Sequence, residues 1–94
     1  MFSILYVDDE PGLLEIGRMF LEQGGLFAVD TLTSATEALD VIRTKRYDAI
    51  ISDYQMPGMD GIEFLKRVRA ADTTIPFIIF TGRCREEVVI QAFN

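Results

Sequence analysis

A chain of 94 residues, about half of them apolar, has room for one domain with a modest core. Its net charge of −6 argues against general nucleic-acid binding, which needs a basic face. The absence of histidine excludes imidazole acid–base chemistry and histidine metal ligands, and Cys84, the only cysteine, cannot form an internal disulfide.

A reducing, cytoplasmic setting is the simplest expectation from that cysteine usage. The longest apolar runs, such as Phe77-Ile78-Ile79-Phe80, have four residues, whereas a membrane span needs about 20. No basic stretch leads into an apolar one at the N-terminus, and acids arrive by Asp8, so no signal peptide is read.

The elements alternate. Ser3–Val7 is short and apolar, a strand, and Pro11 suits the first position of a helix. Leu13, Leu14, Ile16, Gly17, Phe20 and Leu21 recur at helical spacing until Gly24-Gly25 ends the pattern. Phe27–Leu32 reads as a second strand. Ser34 with Glu37 forms a capping box for a helix bearing Ala35, Ala38, Leu39 and Ile42, ending near Lys45-Arg46. Tyr47–Asp53 is a third strand. Asp60 caps a helix carrying Ile62, Phe64, Leu65 and Val68. Phe77–Phe80 is a fourth strand, Thr81-Gly82 breaks it, and Glu86–Phe93 starts a fourth helix.

Strands alternating with helices imply an α/β fold, with parallel strands joined by right-handed crossovers. Runs such as Ile50-Ile51 and Ile78-Ile79 suit strands covered on both faces. Ligands in such sheets lie beyond the carboxyl ends of the strands. Asp8, Asp9, Asp53 and Thr81 all stand at such ends. Three acids there suit Mg²⁺, which prefers oxygen ligands and keeps room for phosphate. A carboxylate among them can act as nucleophile and form an acyl phosphate, with metal and positive groups stabilising the transferring phosphoryl oxygens. Each residue alone has a plainer reading: acids at positions 8–10 suit a helix N-terminus, and Asp53 and Thr81 suit turns. The functional case is the joint placement.

Val7-Asp8-Asp9-Glu10-Pro11, then Asp53-Tyr54-Gln55-Met56-Pro57-Gly58-Met59-Asp60-Gly61, then Phe80-Thr81-Gly82, resemble the receiver domains of two-component response regulators. The likeness runs from the first strand to the last residue. It implies a flavodoxin-like doubly wound sheet of order 2-1-3-4-5, an order for which receivers are themselves a standard example. It implies that Asp53 accepts a phosphoryl group from a phosphohistidine on a sensor histidine kinase. It implies that Asp8, Asp9 and Asp53 hold Mg²⁺ with the Gln55 backbone carbonyl, that Thr81 is the switch hydroxyl, and that Gln55 and Arg83 occupy positions that tune phosphoryl lifetime.

The resemblance also implies a fifth strand ending in lysine and a fifth helix, which this sequence does not reach. The only lysines are Lys45 and Lys66, and neither matches that position. The expectation is a single receiver domain over residues 1–94, incomplete at its C-terminal end, with weakened phosphotransfer. Phe77–Phe80 would then be an exposed edge that favours self-association or exchange of elements. The alternative is a receiver-like interaction module that is not phosphorylated. A phosphatase of the haloacid dehalogenase kind needs Asp-x-Asp on the first strand, where this chain has Asp8-x-Glu10, and it leaves the Asp53 motif unexplained.

Overall fold

A computed structural model describes residues 1–72 and 74–80. The elements run β1 (Phe2–Val7), α1 (Pro11–Glu22), β2 (Phe27–Leu32), α2 (Ala35–Val41), β3 (Ala49–Asp53), α3 (Gly61–Ala71) and β4 (Phe77–Phe80). The four strands form one parallel sheet in the order β2-β1-β3-β4. The order expected from the resemblance is therefore observed for its first four strands. The break after Phe80 and the helix over Glu86–Phe93 lie outside the described residues.

Alternation along β1 divides the core. Leu5 and Val7 face one side with Ala35 and Ala38 of α2 and Phe64, Leu65 and Val68 of α3. Ile4 and Tyr6 face the other side with Leu14 of α1 and Val29. The larger cluster includes an edge-to-face pair, Phe64 on Phe77, with ring centroids 5.3 Å apart. Helix α1 covers less. Of its apolar positions only Leu14 is buried, and Leu13, Ile16 and Phe20 are exposed. Gly17 is where Tyr6 lies against that helix, so close that a Cβ would overlap the ring.

The caps follow the sequence. Ser34 Oγ accepts the Glu37 N–H at 3.4 Å and Asp60 Oδ1 accepts the Glu63 N–H at 2.9 Å. Two boundaries differ. Helix α2 stops at Val41 rather than near Lys45: the next turn tightens, Arg43 and Thr44 donating their N–H three residues back to the Asp40 and Val41 carbonyls, with the Thr44 hydroxyl also on Val41. Strand β3 begins at Ala49 rather than Tyr47, because the two preceding side chains bond elsewhere. The Tyr47 hydroxyl donates to Asp30 Oδ2 at 2.7 Å, and Asp48 Oδ2 accepts the Ser3 N–H at 2.7 Å. Lys45 joins Tyr47 on Asp30, tying the segment before β3 to β2. That lysine, with Tyr47, holds the Asp30 carboxyl below its ordinary range. No helix among the described residues is long and apolar enough to cross a membrane.

Candidate functional site

β1 and β3 are neighbours, and both run out at the same edge of the sheet, Val7 lying opposite Ser52. The chain leaves β1 through α1 to reach β2 on one side, then returns to β3 on the other. A crevice opens at such a switch point. One oxygen from each of Asp8, Asp9 and Asp53 lies within 4.8 Å of the others there. The three acids picked from the sequence are therefore together. A cleft of about 660 Å³ opens over them, also lined by Glu10, Gln55, Asp60 and Phe80.

Asp8 is 1 % exposed. Its Oδ1 accepts the Glu10 N–H at 2.9 Å, whereas its Oδ2 is buried without a hydrogen-bond partner among the described residues. A buried carboxylate oxygen left unpaired costs free energy unless something supplies positive charge. Burial foremost, and then the charges of Asp53, Asp9 and Glu10, push the Asp8 carboxyl up to about 6, although the Glu10 N–H works against this. Burial also raises Asp53, with Asp9 and Glu10 adding to it and the Tyr54 N–H opposing. The orphan oxygen, the clustered carboxylates and their hard oxygen chemistry fit a small dication such as Mg²⁺. Glu10 is the N-cap residue of α1 but makes no side-chain cap bond.

The loop after Asp53 is fixed by its own backbone. Tyr54 N–H donates to the Phe80 carbonyl at 3.0 Å, Met59 N–H to Pro57 at 3.0 Å, and Gly61 N–H to Tyr54 at 2.8 Å. Gly58 sits at φ +82°, a region that favours glycine. Gly61 is needed for a different reason: a Cβ there would lie 2.5 Å from the Asp53 carbonyl oxygen and 3.1 Å from Tyr54 Cα. Met56 tucks into the larger core cluster and anchors the loop from below.

Thr81 and Arg83 lie outside the described residues. Neither Lys45 nor Lys66 lines the acidic cleft, and no basic side chain does among the described residues. A larger cleft, of about 790 Å³, lies at the opposite ends of the strands and contains Arg43, Lys45, Arg46 and Arg67. Those cations cluster near the carboxyl ends of α2 and α3, where positive charge offsets the helix dipoles, and no set of reactive groups converges there among the described residues. Ser52, fully buried beside Asp53, was not singled out in the sequence, where a lone serine in an apolar strand was the available signal.

The description of the response regulator receiver domain matches residues 4–94. Response regulator Rre1 of Synechocystis sp. is 42 % identical over 94 residues, covering 98 % of this chain and 41 % of that protein. The transcriptional regulatory protein FixJ of Bradyrhizobium diazoefficiens is 32 % identical over 91 residues, covering 97 % and 44 %. The chain thus spans less than half the length of these curated relatives. Among solved structures, the response regulator protein TrrA of Thermotoga maritima, in complex with Mg²⁺-BeF, superposes with a TM-score of 0.85 at 32 % identity, over 98 % of this chain and 81 % of that one. The chemotaxis response regulator CheY4 of Vibrio cholerae gives 0.85 at 32 % identity, over 97 % and 77 %. With the sheet order, the strand-end acids and these matches in agreement, the chain belongs to the response regulator receiver domain family.

Proposed function

We propose that this receiver is a phosphoacceptor signalling module of the cytoplasm that takes a phosphoryl group from a sensor histidine kinase onto Asp53. The observation that carries the reading is the buried, unpartnered Oδ2 of Asp8 within a three-carboxylate cluster. Asp8, Asp9 and Asp53 would hold Mg²⁺ with the Gln55 backbone carbonyl; the ion supplies charge neutralisation at the phosphoryl oxygens when bound. An Asp53 carboxylate oxygen forms the new bond to phosphorus as the P–N bond of the phosphohistidine breaks. The electron pair of that bond returns to the imidazole nitrogen. The relative TrrA, solved with Mg²⁺-BeF, supports the same ligand chemistry. The chemistry ends on the protein's own side chain, so the reading is a switch rather than an enzyme. With a net charge of −6, the module itself has no direct role on nucleic acid.

Incubation with Mg²⁺ and acetyl phosphate tests this. Wild type should gain one phosphoryl mass and Asp53→Asn should gain none; an equal gain in both rules out Asp53 as acceptor. A wild type that gains nothing favours the second reading, an interaction module of the same fold. That reading draws on the lack of a basic side chain among the described residues lining the cleft, a lack that also predicts slow transfer.

Thr81 follows Phe80, whose register partner is Asp53. In this reading its hydroxyl bonds the phosphoryl group and moves the segment behind it. Arg83 then tunes the lifetime of the acyl phosphate. Arg83→Ala should change the half-life of phosphorylated protein, and an unchanged half-life removes Arg83 from the scheme.

The outer edge of β4 has no strand partner among the described residues, and Ile78 and Phe80 are 44 % and 51 % exposed. Such an edge recruits strands from other chains, so the 94-residue unit should self-associate. Light scattering that returns only a folded monomer across concentrations contradicts this.

A further inference from the structure

We propose that Ser52 is a positioning residue for the acceptor: its hydroxyl holds the main-chain carbonyl of Asp53, and through it sets the aim of the Asp53 carboxylate and the Gln55 carbonyl. The inference rests on the phosphoacceptor reading above. Ser52 is fully buried between Val7 and Ile79, its apolar register partners on either side. A β-branched aliphatic residue would suit such a place in a parallel sheet better, so the hydroxyl calls for an explanation. Its partner is the carbonyl of the next residue: Ser52 Oγ donates to Asp53 O at 2.9 Å.

The geometry shows why that carbonyl needs a donor. Ile50 N–H bonds Pro76 and Tyr54 N–H bonds Phe80, so even-numbered residues of β3 face β4. Asp53 therefore presents its main chain toward β1. The β1–β3 ladder ends at the pair Val7–Ser52, and beyond it the Glu10 N–H is taken by the Asp8 carboxylate. The Asp53 carbonyl thus lies one step past the last rung. Ser52 supplies the missing donor, and Gly61 closes over the same oxygen.

The consequence is a peptide group fixed at both ends. The Asp53–Tyr54 peptide has its oxygen on Ser52 and its N–H on Phe80. A tilt of that plane moves the Asp53 side chain on one flank and the Tyr54–Gln55 peptide on the other. The first bears a proposed metal ligand, and the second leads directly into Gln55, whose carbonyl, one peptide further on, is the other. Partners one shell out from a metal ligand typically contribute tenfold or more to metal affinity.

Ser52→Thr and Ser52→Val form an isosteric pair that differs in the hydroxyl, so the added methyl is common to both. Ser52→Thr should keep the wild-type Mg²⁺ affinity by calorimetry, and Ser52→Val should weaken it about tenfold. Acyl phosphate formation at saturating Mg²⁺ should fall in the valine variant alone, and the Tyr54 amide resonance should shift in the valine variant and not in the threonine one. If the buried site rejects the methyl and both variants unfold, Ser52→Ala against wild type gives the same comparison. Equal Mg²⁺ affinity, equal transfer and an unmoved Tyr54 amide with and without the hydroxyl overturn the proposal. A wild type that binds Mg²⁺ but is never phosphorylated sinks the acceptor reading instead, while the affinity and amide comparisons still decide the role of Ser52.

Discussion

Gly61→Ala should cut the rate of Asp53 phosphorylation by about a hundredfold, the scale of loss that follows a misplacement of about 1 Å at a reacting group. The added methyl would stand 2.5 Å from the Asp53 carbonyl oxygen and 3.3 Å from its carbonyl carbon. These are main-chain atoms, so no side-chain rotation relieves the overlap. Either the start of α3 lifts away or the end of β3 moves. The Gly61 N–H bond to Tyr54, at 2.8 Å, couples the two, so Asp53, the proposed acceptor, shifts in either case. Overpacking of this kind costs about 1–3 kcal/mol, partly offset by the better helix propensity of alanine. The variant should therefore remain folded by circular dichroism while the phosphorylated mass accumulates slowly. A variant with the wild-type time course would show that α3 absorbs the methyl and that the contact does not set the acceptor.

Asp8→Asn should stabilise the metal-free protein at neutral pH and abolish its stabilisation by Mg²⁺. A carboxyl raised from 3.8 to about 6 in the fold binds its proton more tightly when folded than when unfolded. Its contribution to stability is fully present below the unfolded value and is lost as the pH rises from about 3.8 through about 6. Asp53, raised in the same direction, adds to the loss. Asp30, held low by Lys45 and Tyr47, acts oppositely: its contribution disappears as the pH falls through its lowered value. Metal-free wild type should therefore lose thermal stability between about pH 4 and 6, and Asp8→Asn should flatten most of that slope. At pH 7 the gain should be about 1–3 kcal/mol, from roughly 1.4 kcal/mol for each unit of displacement. Mg²⁺ at ten times its Kd should restore about 1.4 kcal/mol to wild type and nothing to the variant. Melting curves with and without Mg²⁺ across this range decide it. A variant that melts below wild type at pH 7, or still responds to Mg²⁺, contradicts the assignment of Asp8 as a strained ligand.

How far the sequence could be read depended on the distance over which each feature is decided. The four strands were legible because each is a short apolar run closed by a turn signal, as with Ile4-Leu5-Tyr6-Val7 before Asp8. Their order was supplied by family resemblance, since periodicity does not say which strand lies beside which. The convergence of Asp8, Asp9 and Asp53 followed from their positions at strand ends, which parallel topology brings to one edge. The Asp30–Lys45–Tyr47 tie was not legible because its members are far apart in the chain and its partners are chosen in space. It shortens β3 at the entrance, a boundary that local pattern put two residues early. The orphan oxygen of Asp8 and the Ser52 hydroxyl bond are likewise facts about neighbours, not about residue types. The apolar spacing of α1 predicted a buried face wider than the one formed, since Ile16 and Phe20 are 67 % and 76 % exposed.

The unequal division of the core sets how the molecule opens. Among the described residues, eleven buried side chains seal the sheet under α2 and α3 and four do so under α1. Local opening free energies follow such differences in burial, so amide protons of α1 should exchange with solvent before those of β3 and α3. Asp8 and Asp9 lie on the short link from β1 into α1, whereas Asp53 closes a strand held between two others. The proposed acceptor should thus belong to the slowly exchanging part of the protein, and two of its proposed metal ligands should border the rapidly exchanging part. A dication bridging them would fasten the looser layer to the firmer one, and its arrival should be read as slowed exchange along α1, a helix that contributes no ligand of its own.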